Sequence, residues 1–395
     1  MTESIPSVRS ISVGVWVFTG SRDESEEESG ISHFIEHMVF KGTTRRKMHH
    51  IAQRMESVGG YLNAFTGKEY TCYYARALDE HLDRAVDVVS DLILQPLFPE
   101  KDLEKEKDVV IEEMKMYEDV PDDFIFDRFE SALYPSHPMG RPVLGTPESV
   151  RSFSRDQLFR YLEARYTPDR IVLSAAGNIS HERVVRLAEK AFGRTQRKGE
   201  SAPRIPVNGY LPTHSVEDRS TQQAHLVLGT RTFDVHDERR IALSVLNTML
   251  GGGMSSFLNQ NIREKYGYCY NIYSFLNFHT DTGDFGIYMG MDESKVERAR
   301  QLIFRELDRL TQRQVSPRKL HQAKNQVKGS IMLGLESMGS RMMRIGRQEL
   351  YYEQYTTLDA VLEQVDQVTA EEVQAVAQAL FVRDDFSSIV FLPQP

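Results

Sequence analysis

The chain has 395 residues, of which 40% are hydrophobic and 27% are charged, and its formal net charge is -9 at pH 7. The length predicts two or three domains, with two as the first expectation, and the composition is that of a globular protein rather than a disordered or fibrous one. No basic block accompanies the acidic charge, which argues against a nucleic-acid partner because phosphates require clustered lysine and arginine.

Cysteine usage and the absence of long apolar runs point to one cellular location. The two cysteines, Cys72 and Cys269, lie in aromatic, strand-like runs, which favours reduced core cysteines over a disulfide. The chain opens without a basic and apolar leader, and no run of 18 apolar residues occurs. We therefore expect a cytoplasmic protein without a membrane partner.

The first half of the chain begins with an alternating run from Ser12 to Phe18, which predicts a strand. A polar loop and a helix ending at Gly42 follow, with Gly42 as the predicted C-terminal cap. Later in this half a second strand leads through Asp79 into an amphipathic helix. A long helix is predicted from Pro99 to Glu118.

The second half repeats this order of elements. A strand is predicted from Ala224 to Gly229, followed by a helix ending at the glycines 251–253. Asp292 then holds the place of Asp79, between a strand and an amphipathic helix, which indicates an internal duplication. Two further helices are predicted, from Pro317 to Gly334 and from Ala370 to Leu380.

The duplication predicts an α+β fold of two similar domains, each with a mostly antiparallel or mixed sheet and helices packed on one face. The predicted boundaries are a first domain at 1–195, a linker at 196–212 and a second domain at 213–395. The linker is placed where glycine, proline and arginine interrupt the helical periodicity.

Segment 31–39 carries an HxxEH motif on a predicted helix. Its apolar residues recur every three or four positions, which predicts a helix packed on a core. His33 and His37 are four residues apart, so both imidazoles can reach one ion. Zinc in hydrolytic sites takes three protein ligands and one water, and Glu36 is placed to take a proton from that water. The motif occurs by chance in about 3% of chains of this length, so it needs support from other segments.

A third ligand is available on the helix predicted from Pro99 to Glu118. Glu106, Glu113 and Tyr117 fall on one face of that helix. One carboxylate could bind the metal while the other orients a ligand imidazole, and the residues alone leave open which does which. A charged, solvated helix surface is the alternative interpretation.

Several long segments resemble one family in the right order. They are GSRDESEEESGISHFIEHMVFKGT, GGYLNAFTGKEYTCYYAR, EKDVVIEEMKMYEDVPDD, HPMGRPVLGT, YTPDRIVLSAAGNIS and LGGGMSSFLNQNIREKYGYCYNIYS. Together they resemble the M16 family of zinc peptidases with an inverted HxxEH motif, especially the group that includes mitochondrial processing peptidase and its bacterial relatives.

This resemblance implies a role for each residue of the metal site. His33, His37 and Glu113 would bind one zinc ion per chain, with Glu36 as the general base. Glu106 would be the carboxylate that orients a ligand imidazole. Within EKDVVIEE the family pattern selects the second of the two adjacent glutamates. The sequence does not decide whether manganese or cobalt could replace zinc.

The resemblance also implies where a substrate binds. Asn63, Ala64 and Phe65 would belong to an edge strand to which a peptide adds as a further strand. Arg263 and Tyr270, in the second half, would face the scissile bond and stabilise the oxyanion.

The implied function is a zinc-dependent endopeptidase that cleaves unfolded peptides or presequence-like segments within an enclosed chamber. Because one chain carries both the metal motif and the Arg/Tyr pair, we expect a homodimer whose active sites are completed in trans. The alternative is a noncatalytic or partner-dependent subunit of a processing-peptidase-like complex, although noncatalytic members typically lose part of HxxEH.

A second histidine pair, His49 and His50, follows the basic segment KGTTRRKM. Adjacent residues on a helix point about 100° apart, which disfavours joint binding of one ion. These residues therefore predict a solvated helix start rather than a second metal site.

Overall fold

The computed structural model describes residues 1–193, 195, 197, 199 and 203–394. Its internal contacts define two compact units whose segments alternate along the chain. The first unit consists of Met1–Met114, Arg141–Ile205 and Gly334–Tyr355, and the second of Lys115–Gly140, Pro206–Leu333 and Thr356–Pro395. The predicted contiguous division stays a prediction, and positions 196, 198 and 200–202 of its linker lie outside the described residues.

The described residues form ten strands and fourteen α-helices. The strands are β1 (Thr2–Ser4), β2 (Ser10–Val17), β3 (Tyr61–Thr66), β4 (Thr71–Leu78), β5 (Ile171–Gly177), β6 (His214–Arg219), β7 (Ala224–Thr232), β8 (Cys269–Phe278), β9 (Gly283–Met291) and β10 (Ser387–Pro393). The helices are α1 (Ile31–Val39), α2 (Met48–Glu56), α3 (Leu82–Leu94), α4 (Glu100–Glu118), α5 (Pro121–Leu133), α6 (Pro147–Ser152), α7 (Arg155–Arg165), α8 (His181–Phe192), α9 (Arg240–Gly251), α10 (Val296–Gln312), α11 (Pro317–Gly334), α12 (Met338–Tyr352), α13 (Leu358–Gln367) and α14 (Ala370–Leu380). Nowhere in this described part is there a helix with the length and apolar character needed to cross a membrane.

The two sheets have the same topology. The first has the strand order β1-β5-β2-β4-β3 and the second the order β6-β10-β7-β9-β8. In each sheet the first two strands of that order are parallel and the remaining neighbours are antiparallel. Asp79 and Asp292 follow the equivalent strands β4 and β9. The predicted duplication and the α+β fold class are therefore confirmed.

In the first unit, β2 divides the core by the alternation of its side chains. Val13, Val15 and Val17 are buried in the larger cluster, which includes α1 and α3. Trp16 points to the opposite face, where it is buried with Met342 of α12. The sheet of this unit is thus covered on both faces, and one of the covering helices comes from late in the chain.

The second unit repeats this arrangement. Leu226 and Leu228 of β7 are buried in the cluster that includes α9, α10 and α14. Val227 faces the other way and packs in a cluster with Phe129 of α5. Each sheet therefore has its predicted layer of helices on one face. The further helix on the other face was not predicted from the sequence.

Most of the predicted helix boundaries are confirmed, but the end of α1 is not. The helices predicted from Pro317 to Gly334 and from Ala370 to Leu380 coincide with α11 and α14, and α4 begins one residue later than predicted. Helix α1 ends at Val39, three residues before Gly42. Gly42 has a φ of 143° and forms a β-bridge with Lys47, so it belongs to the turn after the helix and does not cap it.

We expect Gly346→Ala in α12 to destabilise the first unit. A Cβ at Gly346 would lie 2.2 Å from Nε1 of Trp16, a fully buried ring whose N–H donates to Ser174 Oγ at 2.8 Å. Overpacking of this kind costs about 1–3 kcal/mol, which exceeds the gain in helix propensity.

Gly329→Ala in α11 is the matched control, because nothing lies within 4 Å of its added Cβ. This variant should gain about 0.5–1 kcal/mol. Thermal and urea unfolding of both variants and the wild type measures the difference. A Gly346→Ala protein as stable as the Gly329→Ala protein would contradict the packing of α12 on Trp16.

Candidate metal centre

Helix α1 carries the HxxEH motif and is fixed at both its apolar face and its N-terminus. Phe34, Ile35 and Met38 are fully buried in the core of the first unit. At the N-terminus, the backbone N–H groups of Gly30 and Ser32 donate to the carboxylate of Glu24 at 2.7 and 2.9 Å. These bonds satisfy donors that a helix start otherwise leaves without partners. Burial raises the pKa of Glu24 to about 8 despite them.

The three predicted ligands converge between α1 and α4. Glu113 Oε2 lies 3.5 Å from His37 Nε2 and 3.8 Å from His33 Nε2. The three ligand atoms all lie within 4.8 Å of one another. Tetrahedral zinc with bonds of about 2.0–2.2 Å separates its ligand atoms by roughly 3.4 Å. These separations therefore suit one ion held by two imidazoles and a carboxylate.

Glu106 connects the ligand His37 to a lysine. Its Oε1 lies 2.9 Å from His37 Nδ1 and its Oε2 lies 2.6 Å from Lys41 Nζ. Burial alone would raise the pKa of the Glu106 carboxyl. The bonds to His37 and Lys41 together lower that pKa by more, so the net pKa is below the usual value. An ionised Glu106 keeps the proton of His37 on Nδ1, so that Nε2 is directed at the metal position.

The two imidazoles have opposite pKa shifts. Burial, reinforced by the nearby charge of His37, lowers the pKa of His33 to about 3. Burial also lowers the pKa of His37, but the hydrogen bond with Glu106 and the surrounding carboxylates outweigh it and raise the pKa. A metal needs both Nε2 atoms unprotonated. Burial thus favours the neutral form of His33 that metal binding requires, whereas the carboxylates around His37 favour its protonated form, which competes with metal binding.

The structure itself contains an observation that favours a zinc ion at these residues. Glu113 Oε2 is buried and has no hydrogen-bond partner among the described residues. A buried carboxylate oxygen without a partner is costly unless a cation compensates it. The donor set of two nitrogens and one carboxylate oxygen is one that zinc takes in hydrolytic sites.

Glu36 lies beside the ligands without belonging to them. Its Oε2 accepts a hydrogen bond from Thr66 Oγ1 at 2.6 Å. Burial raises its pKa, partly offset by the Thr66 bond and the charge of His37. A carboxylate with a raised pKa next to the metal position is suited to accept a proton near neutral pH.

The predicted substrate residues lie on an edge strand. Strand β3 is the last in the order of the first sheet and pairs only with β4 among the described strands. The N–H of Ala64 donates to the side chain of Asn63 at 2.9 Å, so this N–H is directed away from β4. Asn63 is exposed, Ala64 is buried and Phe65 is partly buried. The binding of a peptide by these residues stays a prediction.

The predicted Arg/Tyr pair lies together in the second unit. Arg263 is in the π-helical segment Asn259–Glu264 and Tyr270 is in β8. The guanidinium carbon of Arg263 lies 5.5 Å from the centroid of the Tyr270 ring, which is 83% exposed. Their role toward a scissile bond also stays a prediction.

The other histidine pair and the neighbouring glutamate take no part in this centre. His49 and His50 are exposed at the start of α2, as predicted for a solvated helix start. Glu112 is exposed, whereas Glu113 is partly buried against the histidines. Within the described part of the chain, His33, His37 and Glu113 are the group able to hold a metal.

Sequence reasoning missed three residues that support this centre. Lys41 follows His37 by four positions, so the helical spacing of His33 and His37 could have indicated it. Thr66 follows Ala64 by two positions, so strand alternation could have placed both on one face. Glu24 lies in a polar loop without periodicity, and no signal in the sequence indicated that it binds the start of α1.

The duplicated fold and, among the described residues, the group formed by His33, His37 and Glu113 define a two-domain α+β protein with a site suited to zinc. Comparisons with known proteins identify relatives that are named as zinc proteases. The family described as "Insulinase (Peptidase family M16)" matches residues 1–147, and the one described as "Peptidase M16 inactive domain" matches residues 152–327. The uncharacterized zinc protease YmxG of Bacillus subtilis is 43% identical over 97% of this chain and 93% of its own length. The uncharacterized zinc protease ML0855 of Mycobacterium leprae is 44% identical over 96% of this chain and 86% of its own. The chain belongs to the M16 peptidase family.

Solved structures share the fold at low sequence identity. A peptidase M16 inactive domain from Pseudomonas fluorescens has a TM-score of 0.92 at 19% identity and covers 100% of this chain and 95% of its own. A protease from Helicobacter pylori has a TM-score of 0.90 at 21% identity, with coverage of 99% and 96%. At this identity the likeness supports the two-unit fold alone.

We expect Glu113→Gln to abolish tight zinc binding and Glu112→Gln to leave it unchanged. The first variant removes the charge of a ligand oxygen 3.5 Å from His37 Nε2, whereas the second changes an exposed neighbour on the same helix. Metal analysis after dialysis against a weak chelator measures the zinc retained. Equal zinc content in the two variants would contradict the assignment of Glu113.

Proposed function

We propose that this chain is a zinc-dependent endopeptidase that cleaves unfolded peptides or presequence-like segments within an enclosed chamber. The observation that carries the proposal is the convergence of His33, His37 and Glu113 with a fourth group, Glu36, beside them. The names of the relatives as zinc proteases support the same chemistry. Zinc-dependent hydrolysis of a peptide bond uses this combination of a metal ligand set and an adjacent base.

A bound zinc ion would polarise the peptide carbonyl and lower the pKa of a water molecule. The chain itself supplies the remaining groups. His33, His37 and Glu113 hold the ion, and Glu106 fixes the orientation of His37 through Nδ1. Glu36, adjacent in sequence to the ligand His37, would accept and then donate the proton that moves in the reaction.

Glu36 would act first as base and then as acid. As the water oxygen forms a bond to the carbonyl carbon, Glu36 takes the proton that the water loses. The C–N bond then breaks, and Glu36 returns that proton to the leaving nitrogen. The products are a carboxylic acid and an amine, and Glu36 ends in its starting state.

The substrate would bind as an added strand on β3. An edge strand offers main-chain donors and acceptors irrespective of side chains, which suits the recognition of many unfolded sequences. We propose that Arg263 and Tyr270 contact the scissile carbonyl and stabilise the oxyanion. They would do so across a homodimer, in which the second unit of one chain completes the site of the other.

Glu36→Gln should abolish hydrolysis without loss of zinc. The amide cannot accept the proton of the attacking water, and Glu36 is not a metal ligand, so kcat should fall by about 10²–10⁴-fold or more. An internally quenched, unstructured peptide reports hydrolysis, and metal analysis of the same samples reports zinc.

The wild type with zinc removed by a chelator is the control for this variant, and zinc should restore its activity. A zinc-loaded wild type that cleaves no unstructured peptide would contradict the proposal. The noncatalytic or partner-dependent subunit would then be the better interpretation.

Mixing two inactive variants tests the homodimer. We expect Glu36→Gln and Arg263→Ala each to be inactive alone, because each homodimer lacks one element of both sites. After subunit exchange in an equal mixture, half of the dimers contain one chain of each variant. Each of these mixed dimers has one intact site out of two, so activity should recover to about a quarter of wild type. Size-exclusion chromatography establishes the dimer beforehand. No recovery after verified subunit exchange would contradict completion of the site in trans.

A further inference from the structure

The two carboxylate oxygens of Glu36 have different surroundings. Oε2 accepts the hydrogen bond from Thr66 Oγ1 at 2.6 Å, which is short, as expected for a bond to an ionised acceptor. Oε1 has no hydrogen bond to any described residue. Because a hydroxyl has only one proton to donate, the bond fixes one oxygen and leaves the other to accept a proton from water.

Thr66 is itself held in place by the sheet. It is the last residue of β3, and its register partner is Thr71 of β4. A β-branched side chain on a paired strand has few rotamers, so the position of its hydroxyl follows from the backbone. Strand alternation puts Thr66 on the same face as the buried Ala64, and β3 packs against α1.

The flexibility of the glutamate side chain makes such a restraint necessary. A glutamate has three rotatable side-chain torsions, so without the bond its carboxylate can turn away from the position of the attacking water. A displacement of about 1 Å in a reacting group can cost on the order of 10²-fold in rate.

We propose that Thr66 is a positioning residue that orients the general base Glu36, an inference that rests on the proposed function. Its hydroxyl holds Oε2 and so aims Oε1 at the attacking water. The same residue ends the strand on which the peptide would lie. The base and the substrate are therefore positioned by one strand.

Three variants test this role. In Thr66→Val the side chain keeps its shape but loses the donor, and kcat should fall by roughly 10–100-fold while KM and zinc content stay unchanged. Thr66→Ser keeps the hydroxyl and should restore kcat to within about threefold of wild type. Thr71→Val is the matched control, because its hydroxyl donates to the carbonyl of Thr19 and not to Glu36.

Crystal structures of the metal-free variants give a readout that does not depend on activity. In Thr66→Val the Glu36 carboxylate should be rotated or in several conformers, and in Thr66→Ser and Thr71→Val it should stay as in the wild type. The proposal is overturned if Glu36 is unmoved in Thr66→Val, if kcat is unchanged in an active enzyme, or if Thr71→Val lowers kcat equally.

The two proposals fail in different ways. A zinc-loaded wild type without activity contradicts the proposed function, and the crystal structures still decide whether Thr66 orients Glu36. An active wild type whose Glu36→Gln variant is inactive, combined with an unmoved Glu36 in Thr66→Val, contradicts the role of Thr66 alone.

Discussion

The centre depends on one buried carboxylate that joins two helices. Glu106 is 5% exposed, and burying its charge is unfavourable unless each oxygen has a partner. His37 of α1 meets one oxygen and Lys41 meets the other, so α4 is held against α1 at this point. Glu113 lies two turns further along α4, and the same alignment brings its Oε2 to within 3.8 Å of both ligand histidines. The partners of Glu106 thus help to bring the three predicted metal ligands together.

The sheets provide the rigid support for this alignment. Helix α1 packs on the first sheet through fully buried apolar residues, and its first turn is held by Glu24. Burial of both faces of that sheet, with α12 against Trp16, restrains β2 and its neighbours. A catalytic group is effective only when its supporting residues fix its position. The fold therefore positions Glu36 by both the helix that carries it and the strand that ends at Thr66.

Patterns local in sequence predicted much of this structure. The spacing of His33 and His37 and the periodicity of α4, α11 and α14 depend on residues a few positions apart, and these predictions agree with the structure. Choosing Glu113 over its neighbour required the family resemblance, because both glutamates are compatible with a helix. The sequence also indicated the duplication, since equivalent strands carry equivalent patterns.

The remaining features depend on contacts between distant residues. The apolar pattern of α12 shows that one face is buried but not that Trp16, more than 300 positions earlier, buries it. Gly42 had the residue type of a helix cap, yet its bridge with Lys47 and the bond from Leu97 to its carbonyl determine its conformation. Thr66 looked like an ordinary strand residue, because its role depends on the position of Glu36 across a helix–strand contact.

Anomalous diffraction at the zinc edge, from crystals of the zinc-loaded wild type, would show which residues bind the metal. We expect one strong peak per chain, at bonding distance from His33 Nε2, His37 Nε2 and a carboxylate oxygen of Glu113. A peak at other residues, such as the exposed His49 and His50, or no peak at a full complement of zinc, would contradict this expectation.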